Sequence, residues 1–315
     1  MSRTPGRDAC VSVIVPTFGT DAGELRSTIE SVLGQSMASL ECIVVDDGSP
    51  EPFSGLESRI HDERLLWHAC TENRGVSVAR NAGIDRAGCD ALAFLDAGDL
   101  WQPTKLQRQL EVFRRHGGRK VVYCGVRMRK DDRWRYIRPR HRGDLRDVLL
   151  VANVLTGSCS SVMVSREMIR RCGRFEESHD IPEDHDLWIR MAELYEFDFV
   201  DEPLVTIVSK EQSRSADPIR KSETYLALLA RHRHALVERG LLDQAMANYA
   251  RRIGALYRKR GAYGRSLSWS AVEASLDPSA RSVLKCLVSM TEAVTRRAIL
   301  EDLYYRFPRL LGGRP

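Results

Sequence analysis

The chain has 315 residues, of which 43% are hydrophobic and 29% charged, with a formal net charge of +5. These values are ordinary for a soluble globular protein with room for one large domain or two smaller ones and a real core. No apolar run approaches bilayer-spanning length, and the opening MSRTPGRDAC lacks the apolar centre of a signal peptide, so a cytoplasmic location is expected.

The eight cysteines are scattered, without a CxxC pair or zinc-like spacing, and reduced thiols are expected. Charge is unevenly placed: between Arg114 and Arg146 there are thirteen Lys or Arg against Asp131, Asp132 and Asp144. That stretch is either a solvated surface or a patch for an anionic partner, such as a diphosphate, a lipid-linked phosphate or an inner membrane surface. No motif for binding nucleic acid is present.

In chain order, Val11–Val15 is an apolar run closed by Pro16 and predicts a buried strand. Asp21 with Glu24 resembles a capping box ahead of a helix whose face is Leu25, Ile29, Val32 and Leu33. Strands are predicted at Cys42–Val45, Leu65–Ala69, Ala91–Leu95 and Val121–Cys124, with helices at Val76–Ala87 and Pro103–Arg115 between them. Such alternation implies a mainly parallel sheet flanked by helices. Beyond the basic stretch the spacing predicts strands at Ser161–Val164, Phe197–Val200 and Leu204–Val208. Helices are predicted at Arg166–Arg171 and Pro182–Leu194, with His179 and His185 beside the second. Ser209–Pro218 reads as a linker, and the chain is helical from Arg220 onward. Tyr249–Pro278, broken at Gly261 and stopped by Asp277-Pro278, resembles one tetratricopeptide-like helix hairpin. The apolar, basic tail Leu284–Leu311 either docks on the rest of the chain or lies on a membrane.

The most informative stretch is ALAFLDAGDLW at Ala91–Trp101. Two carboxylates, Asp96 and Asp99, follow a buried strand, at the end where open α/β sheets place ligands. Hard oxygen donors placed this way suit a divalent cation with a phosphorylated ligand, whereas an acidic turn capping the next helix is the plainer alternative.

Six segments in order resemble the inverting family 2 glycosyltransferases: VSVIVPTF at Val11–Phe18, SVLGQS at Ser31–Ser36, IVVDDGS at Ile43–Ser49, NRGVSVARNAGI at Asn73–Ile84, FLDAGDLW at Phe94–Trp101 and PEDHDLWIRM at Pro182–Met191. The resemblance covers about the first 210 residues. It implies a GT-A-type, Rossmann-like sheet with a nucleotide-sugar-binding domain over 1–215, followed by a helical region over 216–315. It implies transfer of a sugar from a nucleotide-diphosphate donor to a hydroxyl on a glycan or lipid-linked acceptor, in cell-surface polysaccharide or glycolipid assembly. A sugar-nucleotide-binding or scaffold protein without transferase activity is the alternative. Pro16, Thr17 and Phe18 are placed by it at the nucleotide, Asp47 at the base, Arg80 near the diphosphate or against Asp96, and Asp184 as catalytic base with Glu183 beside it. Mg²⁺ or Mn²⁺ would be held by Asp96 and Asp99, although Gly98 stands where the family commonly carries the metal-binding Asp. A second departure is VTIVSKEQSRSA at Val205–Ala216, which keeps Lys210 and Arg214 but lacks the aromatic-Arg and His segment of many relatives.

Overall fold

The structure, a computed structural model, describes residues 10–51, 54–130, 133–178, 180–207, 218–259 and 263–276. His179, Lys210, Arg214, Gly261, the Asp277-Pro278 stop, Cys286 and the tail from Leu284 lie outside the described residues. The chain divides into two compact units, one of residues 1–146, 154–179 and 183–210, the other of residues 147–153, 180–182 and 211–315.

The first unit is built on a nine-stranded sheet. In chain order its elements are β1 (Val11–Thr17), α1 (Ala22–Leu33), β2 (Leu40–Asp46), α2 (Ser54–Glu57), β3 (Leu65–Ala69), α3 (Val76–Arg86), β4 (Ala91–Phe94), β5 (Leu100–Trp101) and α4 (Lys105–Arg115). Then follow β6 (Lys120–Lys130), β7 (Arg133–Ile137), a 3₁₀ turn at Ser158–Ser161, β8 (Met163–Ser165), α6 (Arg166–Cys172), α7 (Glu183–Ala192) and β9 (Glu196–Ile207), while α5 (Arg146–Val151), between β7 and the 3₁₀ turn, belongs to the second unit from Asp147 on. The order across the sheet is β3-β2-β1-β4-β8-β6-β9-β5, with β7 paired to β6. Strands β1 to β4 run parallel, as alternating strand and helix patterns require. Strand β8 runs against β4 and β6, so the sheet is mixed from there on.

The expected elements are present with adjusted ends. The Asp21 carboxylate caps α1 by accepting from the Gly23 and Glu24 amides at 2.9 and 3.1 Å. The small-residue face of α3 lets it lie against β1: a Cβ on Gly83 would stand 2.4 Å from Ile14 Cγ2. Two readings needed correction. Phe197–Val200 and Leu204–Val208 are not separate strands; β9 runs unbroken to Ile207 because a register irregularity opposite Cys124 and Gly125 absorbs Pro203, which has no N–H to give. The second is β7, which lies inside the basic stretch Arg114–Arg146, where no strand was expected. It is mostly exposed and held by its ladder to β6.

The thiol expectation also fails at one pair. Cys10, just before β1, is bonded to Cys89, just before β4, with Cα atoms 5.5 Å apart. Cys42, Cys124 and Cys159 are buried free thiols, as small hydrophobes are.

The second unit contains α5 from Asp147 on, α8 (Pro218–Arg231), α9 (Arg233–Glu238), α10 (Leu242–Lys259) and α11 (Tyr263–Leu276). Tyr225 and Tyr249 pack with ring centroids 4.8 Å apart, and Ser266 Oγ donates to the Gly254 carbonyl at 2.8 Å. Asn248 donates to the Val151 carbonyl and Arg239 pairs with Asp147, each at 2.9 Å. No described helix is long and apolar enough to cross a membrane.

Candidate active site

The carboxyl ends of β1, β2 and β4 bring three of the sequence segments to one edge of the sheet. Strand β1 ends in Pro16 and Thr17, both buried, and Phe18 follows half-buried. The Thr17 carbonyl accepts from the Asp47 amide at 2.9 Å, which ties the first two strand ends together. Asp47 is itself buried, and its two carboxylate oxygens accept from the Arg74 and Gly75 amides at 3.0 and 2.7 Å. It therefore anchors the entrance of α3. Asp46 closes the turn beside it by accepting from the Ser49 amide and hydroxyl. Gly48, at φ 72°, allows this turn to touch the loop before α3, because a Cβ there would stand 2.4 Å from the Glu72 carbonyl carbon.

At the end of β4 the Asp99 amide donates to the Asp96 carbonyl at 3.0 Å, closing a four-residue turn. Gly98 occupies its third position at φ 101°, the left-handed region that type II turns assign to glycine. A Cβ on Gly98 would meet nothing, so the backbone angle, not space, is what favours glycine here. Thr28 on α1 holds the turn from outside: its hydroxyl accepts from the Gly98 amide and donates to the Asp99 carbonyl. Ser160 holds it from inside, accepting from the Asp96 amide at 3.1 Å and donating to Asp99 Oδ2 at 2.6 Å. Burial, then the Asp96 charge, push the Asp99 carboxyl up to about 7, against the Ser160 hydrogen bond.

Arg80, on α3, is buried and joins two elements. Its guanidinium donates to Asp96 at 2.7 Å and to Glu183 at 2.8 Å, and it lies 5.2 Å from the Phe175 ring centroid. Burial alone would weaken its charge, but facing Cys159, Asp96 and Glu183 raise its pKa well above the ordinary value. The structure thus places Arg80 against Asp96, one of the two positions the resemblance offered for it. The next residue, Asn81, exchanges hydrogen bonds with the Phe175 backbone in both directions.

Asp184 stands in the first turn of α7, half-buried. Its Oδ1 accepts from the His185 amide and its Oδ2 from the Ser158 hydroxyl, each at 2.7 Å. Ser158 is the one described non-glycine residue at positive φ, 52°, and follows Gly157 at 72°. A Cβ on Gly157 would stand 2.4 Å from Val126 Cγ1, so the loop presses onto β6 while turning its serine toward Asp184. Glu183, expected beside the base, reaches Arg80 instead. His185 is buried, and Asp186 pairs with Arg190 at 2.8 Å. Ser158, Ser160 and Thr28 escaped sequence reading; the run TGSCSS at Thr156–Ser161, small and polar between apolar segments, was the available signal.

No three His, Cys, Asp or Glu side chains are grouped as a metal site among the described residues. Asp96 spends one carboxylate oxygen on Arg80 and is 36% exposed; Asp99 is turned to Ser160 and titrates near neutrality. An exposed carboxylate such as Asp96 suits a divalent cation whose other ligands come from a bound diphosphate and water.

With this geometry established, comparison with known proteins is decisive. Residues 12–173 match the family described as glycosyl transferase family 2. The chain belongs to that family. It is a glycosyltransferase, and relatives of the family work in polysaccharide biosynthesis. One is the amylovoran biosynthesis glycosyltransferase AmsB of Erwinia amylovora, 28% identical over 219 residues, covering 63% of this chain and 69% of the relative. Among solved structures, a mannosyltransferase from Pyrobaculum calidifontis in complex with GDP-Man and Mn²⁺ superposes with a TM-score of 0.60 at 19% identity, covering 97% of this chain and 88% of that one. Residues 1–349 of Staphylococcus aureus TarS, in complex with UDP-GlcNAc, give a TM-score of 0.56 at 14% identity, over 84% and 90% of the two chains. The fold is thus GT-A, a mixed sheet flanked by helices and followed by a helical region.

Proposed function

We propose that this glycosyltransferase inverts the anomeric centre, moving a sugar from a nucleotide-diphosphate donor to an acceptor hydroxyl during assembly of cell-surface polysaccharide or glycolipid. The observation that carries the reading is the setting of Asp184. Its two carboxylate oxygens are aimed by Ser158 and the His185 amide, in the first turn of α7. A base so placed takes the acceptor proton while the acceptor oxygen bonds to the anomeric carbon and the bond to the diphosphate breaks. The relatives' complexes with UDP-GlcNAc and GDP-Man support a nucleotide-sugar donor.

In this reading residues 1–215 bind the donor and perform the transfer, and residues 216–315 form a C-terminal helical region. Pro16, Thr17 and Phe18 flank the nucleoside, with Asp47 fixing the loop beneath it. Arg80, paired with Asp96 at 2.7 Å, presents that carboxylate to the diphosphate. When Mg²⁺ or Mn²⁺ is bound, Asp96 would hold it, and the ion would supply positive charge against the leaving diphosphate. Asp99, held by Ser160, supports the turn that presents Asp96. The acceptor is a glycan or a lipid-linked saccharide, and the enzyme works in the cytoplasm with peripheral contact at the inner face of the membrane.

The deciding experiment is turnover of Asp184→Asn with a panel of nucleotide sugars. Donor binding should persist while kcat falls about 10²- to 10⁴-fold, the range of general-base catalysis. Unchanged turnover would remove Asp184 from the chemistry.

A further inference from the structure

We propose that the β6–β7 edge is an acceptor subsite for a saccharide chain bearing carboxylate or phosphate groups. The proposal deepens the reading of Asp184 as base and rests on it.

Position is the first argument. Val122 of β6 and Ala93 of β4 both pair with Met163 of β8, so they stand level across the sheet. Strand β4 ends one residue later, at the edge that carries Asp96, whereas β6 continues to Lys130. Eight further residues at about 3.3 Å each carry the hairpin roughly 26 Å past that level, on the side of the candidate site.

Chemistry is the second. Trp134 is 56% exposed and Ile137 39%, on a strand whose Arg133 and Arg135 are also exposed. The Arg127 guanidinium lies 5.0 Å from the Trp134 ring centroid and donates to Thr206 at 2.7 Å, which fixes the platform without covering it. At the end of β7 a cleft of about 350 Å³ is lined by Tyr136, Arg138, Arg140, His141 and Thr156, among others. Among the described residues Asp201 answers part of this charge, accepting from Tyr136 and Arg138. Arg133, Arg135 and Arg140 have no carboxylate partner among the described residues, so the edge keeps a surplus of guanidinium groups. An aromatic face packs against a sugar ring, and a guanidinium fork matches a carboxylate or phosphate. A neutral chain would leave that charge unanswered.

Continuity with the base is the third. Thr156 lines the cleft and donates to the Cys124 carbonyl, and Ser158, two residues on, holds Asp184. Two residues span at most about 7 Å, so a chain seated on the cleft can present a hydroxyl to that base.

The test is binding to the full chain of an oligogalacturonide and of a glycerol-phosphate oligomer, with a neutral maltooligosaccharide and phosphatidylglycerol vesicles as controls. At least one anionic oligomer should bind and the neutral one should not. Arg140→Gln and Trp134→Ala should each weaken binding about tenfold, the value of one good contact, while UDP or GDP affinity stays unchanged. Equal affinity for neutral and anionic chains, no binding of either anionic oligomer, or wild-type affinity in both variants would overturn the proposal. Binding to vesicles alone would overturn it too, by assigning the edge to lipid. Asp184→Asn separates the two readings: it should still bind the oligomer, and if it also turns over normally the base assignment fails while the subsite stands.

Discussion

At Ser158 a single hydroxyl and a strained backbone angle set the aim of the proposed base. Ser158→Ala removes the hydroxyl but keeps a Cβ at φ 52°, whereas Ser158→Gly removes both. Both variants should lose kcat with nucleotide affinity intact, and the glycine variant should unfold later, by about 1 kcal/mol in thermal or urea titration. A reversed order would mean that the angle carries no strain. Arg80 is the other pivot, a buried cation between Asp96 and Glu183. Its replacement by Met leaves two carboxylates facing each other without their counter-charge, a change expected to cost about 3–5 kcal/mol in urea unfolding. Asp99 adds a pH signature. Its folded pKa of about 7 exceeds the usual 3.8, so the folded state holds the extra proton between those values. Stability should therefore fall as pH rises from about 4 to about 7, and Asp99→Asn should flatten that slope.

Among the elements, α4 begins with an unusual residue. Lys105 is buried with its amine 3.6 Å from the Trp101 ring centroid and without a hydrogen-bond partner. Burial pulls its pKa down to about 7 from 10.5. The unfolded chain then binds more protons between those values, so stability should rise with pH across that window and stay depressed below it. Lys105→Met keeps the packing on Trp101 and removes the amine. It should abolish the slope and raise neutral-pH stability by on the order of 1–2 kcal/mol in calorimetry. Trp101 in turn donates its indole N–H to the Ser160 carbonyl, the same residue that holds Asp99, so α4 packing and the carboxylate turn are joined through β5.

For the whole molecule, the Cys10–Cys89 bridge ties the entries of β1 and β4, the two neighbouring parallel strands whose far ends shape the candidate site. It closes a loop across a sequence separation of 79. The chain-entropy model assigns such a loop about 4 kcal/mol, so reduction should lower the melting temperature by several degrees or more. Among the cysteines of the described residues, alkylation of the unfolded, unreduced protein should label Cys42, Cys70, Cys124, Cys159 and Cys172 but spare Cys10 and Cys89 until a reductant is added. Labelling of both before reduction would show that the bridge is absent in solution.

What the sequence determined by itself was the local order: apolar runs closed by Pro16, Asp46 and Asp96, helices between them, and the acidic start of α7. Those signals are short-range, since burial periodicity and turn chemistry are written within a few residues. Strand β7 was not read from the sequence, because the alternation of Arg133 and Arg135 with Trp134 and Tyr136 is short and sunk in a basic stretch, and the strand is held by its partner's backbone. Nor were Ser158 and Ser160, which lie 26 and 61 positions from the carboxylates they hold, Asp184 and Asp99. Arg80 could be named from its motif, with Asp96 as one of two alternatives, yet its second partner, Glu183, 103 residues away, became known only from the folded chain. The cysteine pair, too, was invisible in its spacing. Such pairings depend on which strands end side by side, and tertiary packing, not local pattern, decides that.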